Sequence, residues 1–218
     1  MPTSFKKLVT TSNKIIITTS ISLFITFIFA IYNFYLGIRF FDSWGISISI
    51  YYLCLIIARA ISVYCELKLK TQDKLTQGVI RKRNYIALSV FMFFIDISLM
   101  VPIALMIFKP KDVKFGIIPA ITVATYTTYK VTMAIINFCK VNKANNLSFK
   151  FLRELSVVDA LVSILTLQHT LIMVNGGMTD SMKTLSIISS IGIFIVIIIF
   201  SVLTMVKTLK NTNQQAKP

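Results

Sequence analysis

Charge is scarce in this chain of 218 residues: only 14% are Asp, Glu, Lys or Arg, and eight of those are acidic. There are also few ligating side chains, with one histidine and three cysteines (Cys54, Cys65 and Cys139), which form neither a CxxC nor a spaced metal pattern. A structural zinc site needs four such ligands and a disulfide framework needs paired cysteines, so neither organises this fold. The three thiols read as reduced, small apolar residues. No Gly-rich phosphate loop, GxSxG, HExxH or acidic magnesium cluster occurs, which argues against an enzyme and implies no cofactor. No apolar stretch repeats Arg at every third position, which excludes a voltage sensor.

Apolar residues are abundant instead, at 56%, with a mean hydropathy of +0.78. That balance belongs to a polytopic membrane protein rather than a soluble or disordered chain. A bilayer core is crossed by roughly 20 helical residues. Six stretches reach that length: Ile15–Gly37, Gly45–Glu66, Tyr85–Phe108, Phe115–Phe138, Leu155–Val174 and Leu185–Val206. A helix satisfies its own backbone in hydrocarbon, and Ile191–Phe200 lacks the alternation of a barrel strand, so the expected fold is all-α, a single six-helix transmembrane domain over residues 1–218. The first stretch follows a basic segment but is too long for a signal peptide and has no small-x-small cleavage site, so it reads as a retained span.

The formal charge of +15 would suggest nucleic acid in a soluble domain. Here its distribution gives another reading. Sixteen Lys and Arg fall in the N-terminus, the second and fourth connections and the C-terminus, against five on the other side: Arg39, Lys109, Lys111, Lys114 and Lys183. The positive-inside rule then places both termini in the cytoplasm, with the basic segments against anionic headgroups. The expected partners are the bilayer and a small solute or ion, not nucleic acid.

Ionisable groups within the apolar stretches are the candidate site, because each costs several kcal/mol at membrane depth unless it is paired or used. They are Arg59, Asp96, Lys130 and Asp159, with His169 near an outer end. Counting residues from the span ends sets Lys130 and Asp159 at similar depth, and two neighbouring pairs are expected, Lys130 with Asp159 and Arg59 with Asp96. Thr122, Tyr126, Lys130 and Asn137 share one helical face, and Asp159, Ser163, Thr166 and Thr170 another. Tyr126, Ser163 and Thr166 therefore join the four charged residues as ligand or ion candidates. Ser22, Thr26 and Asn33 form a third stripe, read as a helix–helix contact. His169 reads as an interfacial residue, about 15 Å along the helix from Asp159.

Further expectations concern shape. Tyr35, Phe40, Phe41, Trp44, Tyr51 and Tyr52 are read as an aromatic belt at the outer boundary. Pro102 is expected to bend the third span, Asn175-Gly176-Gly177 to end the fifth, the sixth to face lipid and the tail Asn211–Pro218 to be disordered. Leu88-Ser89-Val90 and Leu105-Met106-Ile107 match Leu155-Ser156-Val157 and Ile172-Met173-Val174 at an offset of 67, which suggests a parallel repeat of two hairpins, each with one cation and one acid.

The segments Tyr126–Asn137 and Asp159–Gln168 resemble stretches of uncharacterised multi-pass membrane proteins of Gram-positive bacteria, which implies a bacterial plasma membrane. In size and helix number the chain is also similar to the substrate-binding subunits of energy-coupling-factor vitamin transporters, an analogy of topology alone. The expected function is binding or translocation of a small solute or ion. The alternative is a non-transporting accessory or immunity subunit whose buried charge pairs are structural.

Overall fold

The computed structural model describes residues 2–69, 74–108, 116–141, 147–176 and 180–214. Among them the chain is helical throughout: α1 (Pro2–Arg39), α2 (Ser43–Leu69), α3 (Lys74–Ser98), α4 (Met100–Phe108), α5 (Ile117–Val141), α6 (Leu147–Val174) and α7 (Asp180–Gln214). α3 and α4 are one rod broken at Leu99. Pro102 has no amide hydrogen for the Ser98 carbonyl, and the Leu99 amide bonds Asp96 O at 3.2 Å, one residue short of the α-helical partner. The expected bend is therefore present, three residues ahead of the proline.

Among the described residues five rods have the length and apolarity to cross a membrane: Ile17–Arg39, Ser43–Leu69, Lys82–Phe108, Lys150–Val174 and Ser181–Val206. The protein is a multi-pass membrane protein. The fourth expected span is a helix, α5, but Lys130, five threonines and two tyrosines keep its apolarity below that of the other five. It lies along α6 in antiparallel fashion, Thr127 facing Ser163 near their middles and Arg153 lying over the Phe138 ring at 5.1 Å near one end. α6 is the central helix, with 61% of its most apolar window buried, against 17% for α7. The expectation that the last helix faces lipid holds. α7 runs on through Gln214, so residues 211–214 of the expected disordered tail are helical, and 215–218 lie outside the described residues.

The basic ends gather at one end of the bundle. Tyr85 near the start of α3 meets Glu154 near the start of α6, and Thr204 near the end of α7 shares a cavity with that same Glu154. At the opposite end, Gln168 of α6 bonds Ser186 near the start of α7 at 2.9 Å.

The expected aromatic belt is mostly interior. Trp44, Tyr51 and Tyr52 are buried, and only Tyr35 and Phe41 of that group are well exposed. The reason is helical phase: Tyr52 points inward to an aromatic cluster in which Phe29 stacks on Tyr126 with centroids 3.5 Å apart.

α1 and α2 form a close hairpin. A Cβ on Gly37 would sit 2.8 Å from the Ile46 amide nitrogen, so this crossing requires the absence of a side chain. α1 ends with Phe41 at φ 52° and the Asp42 amide bonded to Gly37 O at 2.8 Å. Asp42 then caps α2, accepting from the amides of Trp44 at 3.2 Å and Gly45 at 3.1 Å. Its Oδ2 also meets His169 Nε2 at 3.0 Å, and Trp44 stacks on the imidazole at 4.2 Å. His169 is thus a buried tie between α6 and the α1–α2 corner, not the interfacial residue expected. At the end of α6 the expected glycine cap is present, with Gly176 at φ 95°; Gly177 lies outside the described residues.

Burial alone would raise the Asp42 pKa, yet the His169 contact and the two amides outweigh it and hold the carboxyl below its ordinary 3.8. A depressed carboxyl contributes stability that is complete above 3.8 and fades as pH falls through the lower folded value. Acid titration of the melting temperature should therefore show a loss below about pH 4 that is smaller in Asp42→Asn, whose amide keeps one acceptor but has no charge to lose. An equal acid loss in both proteins would refute the assignment.

Candidate functional site

The charged centre is a triad. Asp159, in the middle of α6, accepts on Oδ2 from Lys130 Nζ of α5 at 2.5 Å and from Arg59 Nη2 of α2 at 3.1 Å. All three side chains are almost completely buried. The expected Lys130–Asp159 pair is present. The expected Arg59–Asp96 pair is not, because Arg59 crosses to Asp159. The two hairpins consequently do not repeat one pairing, and the proposed repeat loses its charge argument.

The register explains the crossing. On α2, Tyr52 and Arg59 are seven residues apart, two turns along one face. On α6, Asp159 and Thr166 have the same spacing. The helices are antiparallel, so Tyr52 Oη meets Thr166 Oγ1 at 3.2 Å while Arg59 meets Asp159 two turns away. Asp96, on α3, lies outside that ladder.

α1 completes the centre. Thr26 Oγ1 donates to Ser22 O at 2.7 Å, which leaves its lone pairs facing the cations. Arg59 Nη1 donates to Ser22 Oγ at 3.1 Å and Thr26 Oγ1 at 3.4 Å, and Lys130 donates to Ser22 Oγ at 3.4 Å and to Thr26 Oγ1. The ammonium also lies 5.3 Å from the centroid of the Tyr126 ring. Ser22 and Thr26 are the site residues the sequence reading missed. Their spacing of four on one face was visible, but without the position of α1 it carried no sign of a charged neighbour.

The remaining candidates divide. Tyr126 belongs to the site through its ring. Thr166 borders it by way of Tyr52. Ser163 does not reach it, since its hydroxyl donates to Ala160 O at 2.7 Å in its own helix. Thr122, expected on the Lys130 face, is exposed and bonds Ile118 O at 3.0 Å. Asp96 is fully buried beside the helix break and accepts from Tyr51 Oη at 3.4 Å.

Two cations share one carboxylate oxygen, so the triad carries a surplus positive charge in a low-dielectric interior. Asp159 Oδ1 is buried and makes no hydrogen bond. The centre therefore combines a surplus charge with an open acceptor on one residue. Among the described residues no three His, Cys, Asp or Glu side chains come together.

No family model, curated protein or solved structure matches this chain.

Removing either cation leaves a neutral pair, whereas removing the carboxylate leaves two uncompensated buried cations. Asp159→Asn should accordingly be the most damaging single change, on the order of 3–5 kcal/mol, with Lys130→Met and Arg59→Met each clearly milder. Thermal melts of the three variants in detergent check the order. If Lys130→Met proved as damaging as Asp159→Asn, the surplus-charge description would be wrong.

Proposed function

We propose that this protein binds or translocates a small anionic solute or ion at the Arg59–Lys130–Asp159 centre. The observation that carries the reading is the convergence of two buried cations on one carboxylate oxygen. An unpaired positive charge in hydrocarbon costs several kcal/mol, and an anion entering beside Lys130 or Arg59 would relieve it. Asp159 Oδ1 offers an acceptor to a hydroxyl or N–H on the same solute. Tyr126 and Tyr52 line the neighbourhood with rings rather than flexible polar chains, a surface suited to a small solute held by a few fixed groups.

A second reading is supported by the enclosure of Lys130. Its three donors are met by Asp159, Ser22 and Thr26, which is what a purely structural tie would show. In that case the protein is an accessory or immunity subunit and the triad fixes the packing of α1, α2, α5 and α6.

Melting curves in a panel of small inorganic and carboxylate anions, with gluconate as the bulky reference, decide between them. A ligand at 100 times its Kd stabilises by about 2.7 kcal/mol, which is a shift of a few degrees for a chain of this size. The binding reading expects such a shift for at least one anion in the wild type and its loss in Lys130→Met. If every anion leaves the wild type unmoved, the structural reading takes its place.

For location we propose the bacterial plasma membrane with both termini cytoplasmic, supported by the 16 to 5 distribution of basic residues and their gathering at one end of the bundle. A cysteine introduced at position 145, in a chain otherwise free of cysteine, should resist an impermeant thiol reagent applied to whole cells, while one at position 112 should react. The reverse pattern would invert the topology.

A further inference from the structure

Toward the basic end of the bundle, α2 and α3 leave a recess between them. It has a volume of about 230 Å³ and is lined by Ile61 and Cys65 of α2 and by Asn84, Ala87, Leu88 and Phe91 of α3. Each wall is one helical face. On α2 the residues Ile61, Cys65 and Lys68 follow at spacings of four and three, and on α3 Asn84, Ala87 or Leu88, and Phe91 follow at three or four. Ile61 and Phe91 are exposed at the deep end. Cys65 and Ala87, nearer the edge, are small, and that loss of bulk opens the space.

The recess changes character with depth. Ile61 to Lys68 and Phe91 to Asn84 are each seven residues, about 10 Å along the axis, which is most of one leaflet of a hydrocarbon core roughly 30 Å thick. The deep walls are aliphatic and aromatic. At the shallow end stand the Asn84 amide, Lys68, which is exposed and close enough to the Cys65 thiol to act on it, and Arg83, which is exposed and next to Asn84 in sequence. Glu66, the acid beside Cys65 in sequence, is buried rather than placed at the rim. The rim is therefore cationic where headgroups lie, and the interior is apolar where acyl chains lie.

We propose that this recess holds part of one acyl chain of an anionic phospholipid, whose phosphate lies at Asn84, Lys68 and Arg83. The occupant follows from the order of the chemistry. Basic pockets between membrane helices at the cytoplasmic side suit anionic headgroups, and each Lys or Arg near the surface adds to the attraction. A zwitterionic lipid brings its own cation to a rim that already has two. A free phosphate gains nothing from the apolar walls. A helix of a second copy needs a longer seam than two turns and would bury Lys68 and Arg83.

The recess shares no residue with the triad and is probed with a lipid, so it stands or falls independently of the anion reading. The experiment is a set of melting curves of the full chain in mixed micelles at constant ionic strength, with phosphatidylcholine replaced stepwise by phosphatidylglycerol of the same acyl chains. A saturable rise in melting temperature is expected with phosphatidylglycerol, and none with glycerol phosphate, which offers the phosphate without the chain. Lys68→Gln and Arg83→Gln should each raise the half-saturating phosphatidylglycerol fraction about fivefold. Ala87→Trp, which fills the recess, should remove the response, whereas Val196→Trp, at an exposed position of α7, should keep it. The two Gln variants carry the test should Ala87→Trp fail to fold. Identical melting in the two lipids would overturn the proposal. So would a response that Ala87→Trp and both Gln variants keep, an equal response to glycerol phosphate, or a stabilisation that follows protein concentration instead of lipid, which would give the recess to a second copy.

Discussion

The architecture depends on one carboxylate oxygen. Asp159 Oδ2 collects charge from α2 and α5, and the same two cations draw in the hydroxyls of α1, so four helices are tied at a single point near mid-depth. In hydrocarbon there is little hydrophobic drive to hold helices together, and packing and polar contacts carry that role. α5, the least apolar rod, illustrates the consequence. A helix so rich in threonine gains little from lipid. Its buried face, Val123, Tyr126, Thr127, Lys130 and Ala134, commits it to α6 and the triad instead. The threonines on its other face turn their hydroxyls back to their own carbonyls, Thr122 to Ile118, Thr125 to Ile121 and Thr128 to Ala124, which makes that face tolerable to lipid.

Spans, charge asymmetry and the Lys130–Asp159 pair were legible because each depends on quantities that run along the chain: hydropathy, charge count and depth. What failed depends on rotation about the helix axis. Arg59 and Asp96 are close in depth, which suggested a pair, but depth does not say which neighbour a side chain faces. The seven-residue spacings Tyr52/Arg59 and Asp159/Thr166 held that information, and only the knowledge that α2 and α6 are antiparallel neighbours turns them into a ladder. The aromatic belt failed for the same reason, since Tyr51 and Tyr52 lie two turns inside α2 and point to Asp96 and Thr166. His169 was misplaced because its partner, Asp42, is in a corner 127 residues away in sequence.

Adjacent residues of α2 link the surroundings of the two buried acids. Tyr51 reaches Asp96 and Tyr52 reaches Thr166, one helical ladder from Asp159, with their rings 6.5 Å apart. Counted together, Arg59, Lys130, Asp96 and Asp159 balance, two charges of each sign. Counted by contact they do not, because both cations went to one acid. The fold thereby gathers positive charge at the triad and leaves Asp96 to the hydroxyls of Tyr51 and Ser201. Breaking the triad at Asp159 would strand two buried cations, whereas Asp96 makes no ion pair among the described residues, so the electrostatic cost of the arrangement is concentrated on α6. Tyr51 and Tyr52, on one turn of α2, make that helix the element that contacts the neighbourhoods of both buried acids.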